Sequence, residues 1–163
     1  MSGAAGGSSQ DVSPSRPSVA ARENRASGIY RPFSWKIRVY WEDTDAGGVV
    51  YHARYAYFLE RARSEWLRAM GVEQGVLRER EDLVFAVRAM QLDFLRPARL
   101  DDLLDCTARV THVGGASLRF GQTIARGEEL LLSADVRIAC LTASAFRPRP
   151  VPDWLQEASP GTM

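Results

Sequence analysis

Between Phe33 and Trp41 apolar and polar positions alternate: Phe33, Trp35, Ile37, Val39 and Trp41 share one phase, and Ser34, Lys36 and Arg38 the other. A period of two marks a strand with one buried face. The period then lengthens. Tyr55, Phe58, Leu59, Ala62, Trp66, Leu67 and Met70 recur at helical spacing, and Gly71 supplies a left-handed stop. On the opposite side of this helix Arg61 and Glu65, four apart, are expected to pair. A short polar helix over Val72 to Arg80 follows, weakened by Gly75.

Four strand-like runs come next. "DLVFAVRAMQLDFL", Asp82 to Leu95, is apolar on both phases and reads as a central strand, with a phase switch near Arg88 to Met90 that predicts a bulge. Leu104, Cys106, Ala108 and Val110 share a phase in the next run, which ends at the Gly114-Gly115 turn. Leu118, Phe120 and Ile124 then line one side of a third run. After the turn at Gly127 to Glu129, Leu132, Ala134, Val136, Ile138 and Cys140 do the same in a fourth. Leu131 and Leu141 fall on the other face, where a second subunit could cover them. One long amphipathic helix and one antiparallel sheet hide their apolar sides together when the sheet curls around the helix, an α+β arrangement.

This pattern occupies residues 29–145. Residues 1–28 are rich in Ser, Gly, Ala and Pro, with too little to bury to offset ordering, and are expected to form a disordered tail. Residues 146–163 form a proline-rich C-terminal tail that Trp154 docks. The chain has 163 residues, with 21 basic against 20 acidic, a balance that gives no electrostatic footprint for nucleic acid. No apolar run reaches the ~20 residues of a membrane span, and Met1 to Gln10 lacks the apolar segment of a secretory signal. Two cysteines, Cys106 and Cys140, both on apolar phases, read as buried thiols of a reducing, cytoplasmic compartment.

The chemistry concentrates in "EDTDAGGVVYH", Glu42 to His52, ahead of the long helix. A calcium loop is a poor fit, because Gly47 and Arg54 stand where ligands are needed. Zinc lacks a second suitably spaced His or Cys, so no metal is assigned. No Gly-x-Ser-x-Gly elbow occurs, and His112 reads as a surface residue. Glu42 and Asp43 read as solvated loop acids. Asp45 differs. The two glycines after it let the backbone bend tightly, and the first helical amides follow within a few residues. An oxygen gaining negative charge would be stabilised there by the N–H of Tyr51 or His52, with the Asp45 carboxylate attacking the same carbonyl or activating a water. An ordinary aspartate, with a pKa near ~4, is a weak base. It suffices for a thioester, whose thiolate leaves readily.

The stretch "RVYWEDTDAGGVVYHARYAYFLERARSEWLRAMG", with "FAVRAMQLDFLRPARLDDLL" and "GGASLRFGQTI", resembles the YbgC-type acyl-CoA thioesterases of the 4-hydroxybenzoyl-CoA thioesterase group. The resemblance implies a hotdog fold, paired edge to edge into dimers or tetramers, and hydrolysis of short-chain or aromatic acyl-CoA without a cofactor. It implies Asp45 as nucleophile or general base, Tyr51 and His52 as the other catalytic residues, and substrate contacts at Gly48, Val49, Arg88, Ser117 and Arg119. Arg96 and Arg99 are further candidates for the coenzyme A phosphates, and an acyl carrier protein is a further candidate partner. Two alternatives share the fold: an enoyl-thioester hydratase or dehydratase using Asp45 and His52, and a non-catalytic acyl-thioester or acyl-carrier binding module.

Overall fold

The computed structural model describes residues 32–156, so the tail expected at 1–28 lies outside the described residues. Its elements are β1 (Phe33–Arg38), a 3-10 turn (Trp41–Asp43), α1 (His52–Ala69), α2 (Gln74–Glu81), β2 (Leu83–Phe94), β3 (Leu103–Val113), β4 (Ser117–Arg126), β5 (Glu129–Thr142) and α3 (Asp153–Gln156). The five strands form one antiparallel sheet in the order β1-β3-β4-β5-β2. It wraps one face around α1, which is the hotdog arrangement.

Side-chain periodicity carried most of this. Leu104, Cys106, Ala108 and Val110 on β3, and Leu118, Phe120 and Ile124 on β4, are all buried against Tyr55, Phe58, Leu59 and Ala62 of α1. Gly71 ends α1 with φ +79°, a conformation open to glycine at no steric cost. The bulge expected in β2 falls between Val87 and Ala89. Val151 and Leu155 are buried, and half-buried Trp154 packs beside them, so the proline-rich segment closes over one side of the core.

Four expectations need correction. β2 is not central but lies at the sheet edge. Its two-sided apolarity reflects an inner face that α1 leaves largely uncovered, since α1 lies mainly over β1, β3 and β4. Val87 and Phe94 accordingly remain about half exposed, at 49% and 51%. Leu131 is not on the outer face. The register passes from Ile124↔Leu132 to Ala125↔Leu130, and the unopposed Leu131 turns into the core beside Leu132. β1 stops at Arg38, and Trp41 enters the 3-10 turn, exposed. Glu65 pairs with Arg68 rather than Arg61.

Candidate active site

The acid-glycine segment folds as a tight hairpin laid against the start of α1. Thr44 and Val50 form an isolated bridge. The Asp45 N–H donates to the Val49 carbonyl at 2.9 Å, and the Tyr51 N–H donates to the Asp43 carbonyl at 2.9 Å. Gly48, at φ +73°, makes the reversal, its N–H reaching the Asp45 carbonyl at 3.0 Å. The Asp45 side chain is exposed, and its Oδ1 accepts the Gly47 N–H at 2.8 Å. A Cβ at Gly47 would sit 3.0 Å from that oxygen, so the first glycine of the pair keeps the carboxylate's perch clear. One carboxylate oxygen is thus held and the other is left for chemistry.

Asp43 corrects the sequence reading. It is 1% exposed, not solvated. Arg54 Nε donates to its Oδ1 at 2.7 Å and the Tyr40 N–H to its Oδ2 at 2.9 Å. Hydrogen bonding to Asp43 raises the Arg54 guanidinium above its ordinary value, against the opposing pull of burial. Glu42 stays in solvent, 3.4 Å from Arg54. The pair ties the hairpin to the first turn of the helix.

Tyr51 caps α1, and its N–H is already spent on Asp43, which removes it as a donor to a substrate. The N–H groups of His52 and Ala53 have no partner among the described residues, as the first turn of a helix requires. The free amides at the helix start, among the described residues, are therefore those of His52 and Ala53. The sequence reading missed Ala53 because it left the first helical residue open. Arg96 and Pro97 join His52, Tyr55, Val50 and Phe94 in lining a cavity of about 320 Å³ at this helix start. Its wall is fixed through Ala98, whose N–H donates to the Tyr55 hydroxyl at 2.9 Å and whose carbonyl accepts the Val50 N–H at 2.9 Å. Asp45 is beside this cavity in sequence but is not part of its lining.

Asp45, Gly48, Val49, Tyr51 and His52 are thus brought together, and Arg88, Ser117 and Arg119 are not. Arg119 lies in register with Arg137 and Ala89. Ala89 is five residues up β2 from Phe94 at the cavity, about 17 Å along the strand. Arg119 faces outward and pairs with Asp135 at 3.3 Å. Of the four candidate arginines Arg96 alone lines the cavity, and it also reaches Glu129 at 3.4 Å. Among the described residues no group of three or more His, Cys, Asp or Glu could hold a metal ion, and no helix is long and apolar enough to cross a membrane.

Comparison with known proteins identifies the family of the fold. Residues 47–133 match the Thioesterase superfamily. The acyl-CoA thioesterase YbgC of Haemophilus influenzae is 44% identical over 126 residues, 77% of this chain and 93% of that protein. The acyl-CoA thioester hydrolase YbgC of Escherichia coli is 46% identical over 121 residues, 74% and 90% of the two chains. A probable thioesterase from Bartonella henselae superposes with a TM-score of 0.72 at 42% identity, covering 75% of this chain and all of that one. The chain belongs to the thioesterase superfamily, as a thioester hydrolase of the YbgC type.

Proposed function

We propose that the protein hydrolyses acyl-CoA thioesters, short-chain or aromatic, to the free acid and CoA, with Asp45 as the reacting carboxylate. The observation that carries the reading is the hairpin that lays an exposed aspartate against a helix start with two unpaired amides. The acyl carbonyl oxygen would accept the His52 and Ala53 N–H groups, where the positive end of the helix dipole also favours developing charge. Asp45 then attacks the carbonyl carbon, giving an anhydride that water opens, or takes a proton from the attacking water. In either course the C–S bond breaks, the electron pair leaves with the CoA thiolate, and that thiolate takes up a proton. The 320 Å³ cavity is of a size for a short acyl group or one aromatic ring.

The relatives named as acyl-CoA thioesterases support CoA as the carrier, and Arg96 at the cavity is the arginine best placed to meet its phosphates. A second protomer paired along the free edge of β2 fits the half-exposed Val87 and Phe94 there. Of the arginines outside the site, Arg88 is the one carried on that edge strand. The test is release of free thiol from acetyl-, butyryl- and benzoyl-CoA by wild type and Asp45→Asn. Loss of turnover by roughly two orders of magnitude or more in a folded Asp45→Asn is expected. Equal rates would remove Asp45 from the chemistry.

A further inference from the structure

The buried polar side chains of the core are matched to one another. Asp43 has Arg54 against it, and Arg63 Nη1 donates to Gln122 Oε1 at 2.7 Å. Tyr55 is only half matched. It is 3% exposed, yet it lines the cavity of about 320 Å³ at the helix start. A phenol has one proton to give and lone pairs to accept with. The Ala98 N–H takes up a lone pair at 2.9 Å, and no group among the described residues accepts the proton. Asp102, whose charge is felt at the phenol, gives its Oδ2 to Arg126 at 2.6 Å and to the Arg99 N–H at 2.8 Å instead. Burial raises the Tyr55 pKa, against the pull of the Ala98 N–H, so the proton stays on the oxygen across the neutral range. A buried O–H without an acceptor is costly. The cavity that Tyr55 lines is where an acceptor can enter.

The hydroxyl is fixed close to the free amides. Tyr55 follows His52 by three residues, about 4.5 Å along the axis of α1. Helical side chains lean back toward the N-terminus, which returns the hydroxyl to the level of the first turn. The Ala98 peptide holds it there, since its carbonyl accepts the Val50 N–H at 2.9 Å. The surrounding wall is apolar: Val50, Pro97 and the ring of Phe94, edge-on to Tyr55 at 5.5 Å.

We propose, resting on the thioesterase reading above, that Tyr55 determines specificity by donating its O–H to an oxygen at the third atom of a short acyl chain. With the thioester carbonyl on the His52 and Ala53 amides, such an oxygen lies two bonds beyond the carbonyl carbon, beside the phenol. The enzyme then prefers 3-hydroxyacyl, 3-oxoacyl and alkoxyacetyl thioesters to their hydrocarbon counterparts. A methylene set against the O–H leaves a buried donor unpaired. An ether, hydroxyl or keto oxygen pairs it.

The experiment compares kcat/KM for methoxyacetyl-CoA and butanoyl-CoA, in which an ether oxygen replaces one methylene, with wild type and Tyr55→Phe. Each ratio is divided by that of the two thioesters in hydroxide hydrolysis, which removes the greater electrophilicity of the alkoxy compound. Wild type is expected to give a corrected ratio of about ten, and Tyr55→Phe about one. Loss of the Ala98 anchor in Tyr55→Phe acts on both substrates alike, so a merely structural role would leave the ratio unmoved. A corrected wild-type ratio below roughly three, or a higher one that folded Tyr55→Phe keeps, overturns the inference and leaves the thioesterase reading standing. If Tyr55→Phe does not fold, the wild-type ratio decides by the same threshold. Absence of thiol release from these two and from acetyl- and benzoyl-CoA overturns both.

Discussion

Arg54 Nε meets Asp43 Oδ1 at 2.7 Å across eleven residues of chain, joining the first turn of α1 to the hairpin that carries Asp45 two residues on. Removing Arg54 leaves a buried carboxylate with one backbone donor, the Tyr40 N–H. Arg54→Ala should therefore destabilise the fold by about 3 kcal/mol, read from chemical denaturation, and lower kcat/KM as the hairpin loosens. Arg68→Ala, which removes an exposed pair with Glu65, serves as the control and should change nothing measurable. If the two variants unfold at the same denaturant concentration, the clasp has no structural weight.

Gly48→Ala tests the hairpin itself. At φ +73° an alanine is strained whatever room surrounds it, costing about 1–2 kcal/mol. The chain can relieve that strain by opening the turn, which moves Asp45 relative to the helix amides. A fall in kcat/KM larger than the change in thermal stability alone would predict is the expected result.

Tyr55→Phe removes only an oxygen, yet it leaves the buried Ala98 N–H without its acceptor. An orphaned buried donor costs about 1–3 kcal/mol. The same peptide anchors Val50 through its carbonyl, so amide exchange should quicken at both Ala98 and Val50. Unchanged protection at these two amides would contradict the anchoring role.

Burial pushes the Cys106 thiol from 9.0 up to about 12 and the Cys140 thiol from 9.0 up to about 11. Both folded pKa values lie above the unfolded one. The folded state thus holds protons that the unfolded chain has released, and the stabilisation is complete below about pH 9 and lost as pH rises through the two folded values. Stability measured in urea should fall from pH 9 upward, and Cys106→Ala should flatten that slope. Thiol reagents should label neither cysteine in the native protein at neutral pH and both in urea.

What the sequence disclosed follows the range of the forces involved. The alternation in β3 and β4 and the helical stripe from Tyr55 to Met70 are local, and each residue's burial followed from its own neighbours. The tight bend that sets Asp45 ahead of the helix start was legible for the same reason: a carboxylate, two glycines and a helix start fall within eight residues. Asp43 was misread because its partner, eleven residues on, is chosen by tertiary packing. The edge position of β2 was equally hidden, since periodicity reports which faces are apolar and not which neighbours a strand has. Leu131 was misplaced by a bulge, which resets the phase without leaving a mark in composition. Arg63 and Gln122 carried a usable signal. Each is polar at a position where its element's period calls for an apolar side chain, and two such misfits on facing elements point to one another.

β2 runs twelve residues at the rim of the sheet, with one row of backbone N–H and C=O groups facing away from β5. Such a rim accepts any extended peptide of suitable polarity, native or foreign. Renaturation of the separated chain should accordingly pass through an optimum in protein concentration. Very dilute chains would leave the rim bare, and crowded ones would let half-folded neighbours zip onto it before a correctly folded copy arrives.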